Sequence, residues 1–521
     1  MTDASPGKPH ASRGRTLLVA GWLIVLFGVT LVLHARHNGF PFFYHPDEWE
    51  KVHQVMTGDW NFHHPMLLLA TTKCVMAARG GGLGEQEVVE LGRWVSAGFS
   101  AVAVVALALL AFVWRGWGAA VVTGLSLMLH HQIFELSHYM KEDTALLMGV
   151  SLTFLAAFVF WRKPDPWRAA MLGAAVALAV SGKYIGAFML GAAVPLLWLA
   201  PGARWRSAAC FIAAMGGVLV VVNLPLLLNL DAFEKSLGRE MGLVVHGQRG
   251  VTRSVPHTQY WNIFRDNTTP AIWVLLACFL AARWRERRAV SLAEWLVIGF
   301  PFAYTLALSF SPKSNDRYFL PAAAVFTLLA GLGVVDAARL VTGRMRHGLA
   351  LATCGVVLVV CQVVAAPAPL DWRTFRQYLA AFQQDDNKEL IAWVRAELPP
   401  GAVIAKDSRV ELPDPGIPAD ALRFGAFSQT VIAKRYAADL GTLDALRARG
   451  VTHVAVSESD YGRFFLPSVR PQPAEAEDFA RRKSFYEDLF LHGFLLFRRD
   501  RGTVLYLHPG IRLYRLPPKE D

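Results

Sequence analysis

Thr16–His34 reads TLLVAGWLIVLFGVTLVLH. No Asp, Glu, Lys or Arg interrupts it, and it matches the roughly 20 residues that a helix needs to cross a bilayer. A cleaved signal peptide has a shorter apolar core and a small-residue cleavage site. The stretch is therefore expected to be an uncleaved first helix, with the polar head of residues 1–15, carrying Lys8, Arg13 and Arg15, in the cytoplasm. Working outward, similar apolar blocks occupy 91–113, 118–138, 143–161, 168–181, 184–200, 207–229, 269–283, 290–310, 318–341 and 347–366. Of the 521 residues 54% are hydrophobic and only 18% charged, and the apolar ones fall in blocks, not stripes. The expected class is mainly α: a polytopic membrane helical bundle of about eleven transmembrane helices.

The basic residues test that count. Alternate loops read WRKPDPWR (161–168), PGARWR (201–206), RWRERR (283–288) and VTGRMR (341–346), joined by Arg115–Trp117. Each is basic, as cytoplasmic loops are. The formal charge of +11 thus reflects topology, and no nucleic-acid partner is expected. An odd number of crossings sends residues 371–521 to the side opposite the amino terminus. Short β-like runs (402–405, 451–456, 503–507, 511–514) and helix-like runs (387–397, 443–449, 474–489) make that tail a small soluble extracytoplasmic α/β domain. It contains no GxSxG, HExxH or glycine-rich phosphate loop. Cys210, Cys278, Cys354 and Cys361 lie in apolar spans and Cys74 in a shorter apolar run, so neither a disulfide framework nor a CxxC metal site is expected. The resulting division is a head (1–15), a transmembrane domain (16–370) with a long first outer loop (35–90), and the tail (371–521).

That first loop carries HPDEWEKVHQVMTGDWNFHHP, residues His45–Pro65. A helix starting at Pro46 would set Trp49, Val52 and Met56 on one face and Asp47, Glu50, Lys51 and Gln54 on the other, the pattern of an interfacial helix. Pro65–Ala78 is too short to cross and is expected to lie in or against the bilayer. The same outward side holds Lys141, Glu142 and Asp143 in SHYMKED, Lys183 in SGKY, and Arg317 in SPKSNDRYFLP. Each has an ordinary reading: a snorkelling lysine, an interfacial arginine, an acid at a helix start. Their convergence on one rim favours chemistry.

These motifs in this order resemble the GT-C class of membrane glycosyltransferases, and within it the protein mannosyltransferase and aminoarabinose transferase relatives. The resemblance covers residues 16–366. It implies an enzyme that moves a sugar from a polyprenyl phosphate to an acceptor hydroxyl at the outer, periplasmic face of a bacterial inner membrane, with inversion. It makes Asp47 the general base, with Glu48 beside it in the catalytic pair, and Glu142 and Asp143 a second acidic site able to hold Mg²⁺ or Mn²⁺ or to orient Lys141. Lys141, Lys183 and Arg317 become contacts to the donor phosphate. Relatives often show a proline pair where this chain has HHPM, which leaves two readings for His63 and His64: substrate contacts or interfacial residues. Trp60 and Tyr139 either stack on the sugar or belong to an aromatic belt. Lipid, protein and polysaccharide acceptors all stay open, and membrane lipids are the other expected partner. The competing classes are a flippase or transporter of lipid-linked sugars, whose charges should line a path to both sides, and a non-catalytic membrane assembly protein.

Overall fold

The computed structural model describes residues 13–200, 204–246, 252–253, 268–286, 290–311, 315–342, a few isolated positions between 352 and 359, 379–413, 425, 427–466, 469–471, 473–500 and 506–517. Among these, six helices are long and apolar enough to cross a membrane. The first, α1 (Arg13–Ala35), turns Val19, Leu26, Thr30 and His34 inward along one stripe and leaves Leu17, Leu18, Ile24 and Val25 exposed. Apolar side chains turned outward suit a bilayer, not water. The first loop then folds as α2 (Pro46–Thr57) and α3 (Leu67–Ala78). Next comes α4 (Glu85–Arg115), 31 residues long. At 1.5 Å per residue it spans roughly 46 Å, against a hydrocarbon layer of roughly 30 Å. Its first turn serves as a post for the first loop: Gln86 accepts from the Phe42 N–H at 3.1 Å and donates to the Phe40 carbonyl at 3.1 Å.

The block expected as one span at 118–138 is two helices, α5 (Trp117–Met128) and α6 (His131–Ser137). His130 between them is extended, and the Met128 carbonyl, which a continuing helix would offer to residue 132, instead accepts from His34 Nε2 at 2.9 Å. The chain continues through α7 (Asp143–Arg162), α8 (Pro166–Gly182), α9 (Leu190–Leu199), α10 (Arg204–Val222), the short α11 (Leu224–Leu227) and α12 (Leu230–His246). Helices Pro270–Arg285, Leu292–Ser309 and Leu320–Thr342 follow, the last almost wholly enclosed by its neighbours. Helices α7 and α8 touch at backbone distance: a Cβ on Gly149 would lie 2.2 Å from the Ala179 Cα. The expected span at 347–366 lies outside the described residues apart from those isolated positions, as do Cys354 and Cys361.

The tail contains a five-stranded sheet in the order β3-β2-β4-β7-β6, with β2 (Val403–Lys406), β3 (Thr430–Ala433), β4 (His453–Ser457), β6 (Phe494–Arg499) and β7 (Ile511–Arg515). The first three are parallel, and β7 runs antiparallel to both its neighbours, β4 and β6. Helices Asp386–Glu397 and Ala476–His492 pack their apolar faces on it through Leu390, Val394, Tyr486 and Leu489. The run expected as a strand at 503–507 is not one where it is described: Tyr506 and Leu507 form a turn. A two-stranded ladder, β1 (Thr252–Arg253) with β5 (Val469–Arg470), ties a loop of the membrane part to the tail. The tail also seats directly on the first loop. Phe382 stacks on His138 at 3.9 Å and lies 6.0 Å from Phe40, and the Tyr44 hydroxyl donates to both Asp385 oxygens at 3.0 and 2.9 Å.

Candidate functional site

Helix α2 starts where the sequence places it. Proline at the first helical position sacrifices no hydrogen bond, and His45 caps the helix by accepting the Asp47 N–H on Nδ1 at 3.1 Å. Burial, reinforced by the charges of Lys141, Lys51, Arg317 and Arg409, drives the His45 imidazolium well below its ordinary range. The ring is thus neutral, with its proton on Nε2. The helix is rotated from the expected interfacial pose. Glu48, Lys51, Val52 and Val55 face the protein, whereas Trp49, 56% exposed, and Met56 point out. The physical reason lies on other segments, because the inward charges each meet a fixed partner.

Glu48 and Asp47, adjacent in sequence, sit in different environments. Glu48 is sealed: Arg93 of α4 grips both its oxygens at 2.9 and 2.5 Å, and the Met140 N–H donates to it at 2.7 Å. Arg93 Nη1 donates to the Asn38 and Phe40 carbonyls, both at 2.5 Å, and the guanidinium lies over the Phe40 ring at 3.4 Å. The expected second member of a catalytic pair is therefore a fully committed clamp between the first loop, α4 and the segment before α7. Asp47 is instead 39% exposed, in contact with Lys141 Nζ and 3.7 Å from Arg317 Nη1. The two residues expected on one rim are side by side.

Behind them the second acidic site resolves into two ion pairs. Glu142 takes Lys51 at 2.7 Å, with His64 Nε2 at 4.0 Å, and Asp143 takes Lys183 at 2.6 Å. Burial works against charge on Glu142, but His64, Lys51 and Lys141 outweigh it and hold the carboxyl well below the usual range. His64 is itself pushed down to about 4 by burial, so near neutrality the lysines do this. Burial and the Arg317 charge bring the Lys141 ammonium down to about 7. Local structure fixes each group. Lys141 exchanges backbone bonds with Ser96 of α4 at 3.3 and 3.4 Å, Asp143 opens α7 where acids are favoured, and Lys183 closes α8 where cations are. Arg317 donates its N–H to Asn315 at 3.1 Å, and the Tyr318 ring lies under Lys183 at 4.7 Å and Arg317 at 5.6 Å.

The remaining expected contacts divide. His63 faces Arg239 of α12 at 3.4 Å, next to Phe62, whose φ of +50° is held by Tyr184 donating to its carbonyl at 3.0 Å. Trp60 packs under Lys73 at 4.9 Å. Tyr139 is fully buried among Phe40, His45, Phe382 and Tyr506, so it offers no face to a sugar. The residues do not fit a resident Mg²⁺ or Mn²⁺. Among the described residues no three His, Cys, Asp or Glu side chains converge as ligands, and each acid of the second site already faces a lysine.

Sequence reasoning passed over His45, counted Lys51 as solvent-facing, and missed Arg93, Arg409 and Tyr506. An arginine inside an apolar span was a readable signal for Arg93.

No family model matches the sequence, and no curated protein matches it. Solved structures do. ArnT from Cupriavidus metallidurans bound to undecaprenyl phosphate aligns over 98% of this chain and 100% of its own, at 14% identity and a TM-score of 0.50. Looser likenesses are the Archaeoglobus fulgidus oligosaccharyltransferase in complex with Zn and sulfate (92% and 72% of the chains, 11% identity, TM-score 0.44) and the S. cerevisiae protein O-mannosyltransferase Pmt1-Pmt2 complex bound to the sugar donor (43% and 34%, 18% identity, TM-score 0.34). The chain has the mainly α GT-C fold of membrane glycosyltransferases.

Proposed function

We propose that the protein transfers a sugar from a polyprenyl phosphate to an acceptor hydroxyl, at the outer face of a bacterial inner membrane and with inversion at the anomeric carbon. The observation that carries this reading is the half-exposed Asp47 carboxylate held between Lys141 and Arg317. An acceptor hydroxyl is a poor nucleophile until a carboxylate takes its proton. As the new bond from acceptor oxygen to anomeric carbon forms, the bond from that carbon to the phosphate oxygen breaks and its electron pair leaves with the lipid phosphate. Cations beside that oxygen stabilise the departing charge. Lys141 and Arg317 serve both steps. In the resting protein they neutralise Asp47. An arriving phosphate gives them a second anion, and Asp47 is released to act as base. Lys183 and Lys51, locked on Asp143 and Glu142, hold the acids that keep this array in register. The fold supports the reading, since ArnT shares it and was captured with undecaprenyl phosphate.

The test is transfer of radiolabelled sugar from polyprenyl phosphate donors in membranes. Asp47→Asn is expected to lower turnover by roughly 10²–10⁴-fold, the range for losing a general base, with undecaprenyl phosphate binding retained. Wild-type turnover in that variant would remove Asp47 from the role.

A further inference from the structure

The soluble domain reaches the site through two side chains. The ring of Tyr506, in the turn before β7, packs on that of His45 at 4.1 Å with the two planes tilted by 49°, and His45 is the residue that caps Asp47. On Tyr506, 4.7 Å from the ring centroid, sits the guanidinium of Arg409. Arg409 follows Asp407 and Ser408 at the carboxyl end of β2, where open sheets with parallel strands present their ligand-binding residues. Its backbone is anchored, with its N–H donating to Asp460 at 2.9 Å, and Asp460 in turn is fixed by Ser457 at 3.2 Å. Among the described residues no carboxylate is within salt-bridge reach of the Arg409 side chain, unlike Arg93, Lys51, Lys141 and Lys183. The charge is close enough to act on His45. A guanidinium stacked on an aromatic ring keeps its in-plane N–H donors free for an oxyanion.

We infer that Arg409, seated on Tyr506, is a phosphate-binding residue that the soluble domain lends to the membrane site, opposite Lys141 and Arg317. This deepens the proposed function and rests on it: the ligand class is a phosphate ester, carried by the donor lipid or by the acceptor. Such a role also gives the tail a reason to be pinned to the first loop by Tyr44–Asp385 and Phe382.

The experiment titrates full-length protein in nanodiscs with undecaprenyl phosphate, and then, with that lipid saturating, with glycerol 1-phosphate. Wild type, Arg409→Ala, Arg409→Lys, Tyr506→Ala and Arg317→Ala are compared, and thermal unfolding checks that each is folded. Arg409→Ala is expected to weaken one of the two ligands at least tenfold, with Tyr506→Ala similar and Arg409→Lys intermediate. Loss of the lipid assigns the residue to the donor phosphate, and loss of glycerol phosphate alone assigns it to the acceptor. Wild-type affinity for both in Arg409→Ala overturns the inference. Arg317→Ala keeps the two claims apart: if it weakens the lipid while Arg409→Ala changes nothing, the proposed function stands and the role of Arg409 falls.

Discussion

Lys141 is the residue whose charge is most open to adjustment. It is buried in contact with Asp47 and with the Arg317 charge nearby, and burial followed by that charge brings its ammonium to about 7. A phosphate favours the protonated form, so binding takes up a proton wherever the free lysine has lost one. The sign follows: affinity for undecaprenyl phosphate is complete below that pH and falls as pH rises through it, by about tenfold per unit at the limit. Isothermal titration between pH 6 and 9 should show this slope, and Lys141→Met should flatten it. A wild-type affinity independent of pH would mean that Arg317 holds the phosphate without Lys141. His45 cannot supply the dependence, because burial already keeps it neutral.

At the scale of elements, the site depends on α4 reaching the first loop through Gln86 and Arg93 and on α2 turning its charged face inward. An amphipathicity argument assumes that the buried face is apolar. It failed for α2 because Glu48 and Lys51 have partners 45 and 91 positions further along the chain, in Arg93 and Glu142. The span pattern itself was legible, since apolar blocks report directly on the solvent around a helix. The break at His130 was not, because it depends on His34 taking a carbonyl from a different helix. The same distinction governs the two acids at the start of α2. Removing one partner of a buried ion pair leaves the other uncompensated and costs about 3–5 kcal/mol. Glu48→Gln should therefore lower the unfolding temperature and yield of the whole membrane part, whereas Asp47→Asn, at a half-exposed position, should leave stability near wild type. Equal thermal stability of the two variants would contradict the assignment of Glu48 as a clamp.

For the whole molecule, the question is why chemistry at a membrane surface needs a soluble domain fixed to it. Asp47, Lys141, Glu142, Asp143, Lys183 and Arg317 could be picked from the sequence because they punctuate apolar spans. Arg409 and Tyr506 could not, because nothing local marks a loop residue of an α/β domain as the neighbour of a histidine more than 350 positions earlier. Their placement depends on docking, and the wedge is Phe382, buried among Phe40, Phe134, His138 and Tyr139. Truncating a buried phenylalanine costs about 3–5 kcal/mol. Here that loss falls on the contact between domains, because the partners belong to the first loop, to α6 and to the residues that follow it. Phe382→Ala should leave the sheet and the bundle folded but increase amide exchange in α2 and around Tyr506 together. It should also reproduce the ligand-binding loss of Arg409→Ala without touching either cation. Exchange confined to the tail, with α2 as protected as in wild type, would mean that the domain rests on the site without shaping it.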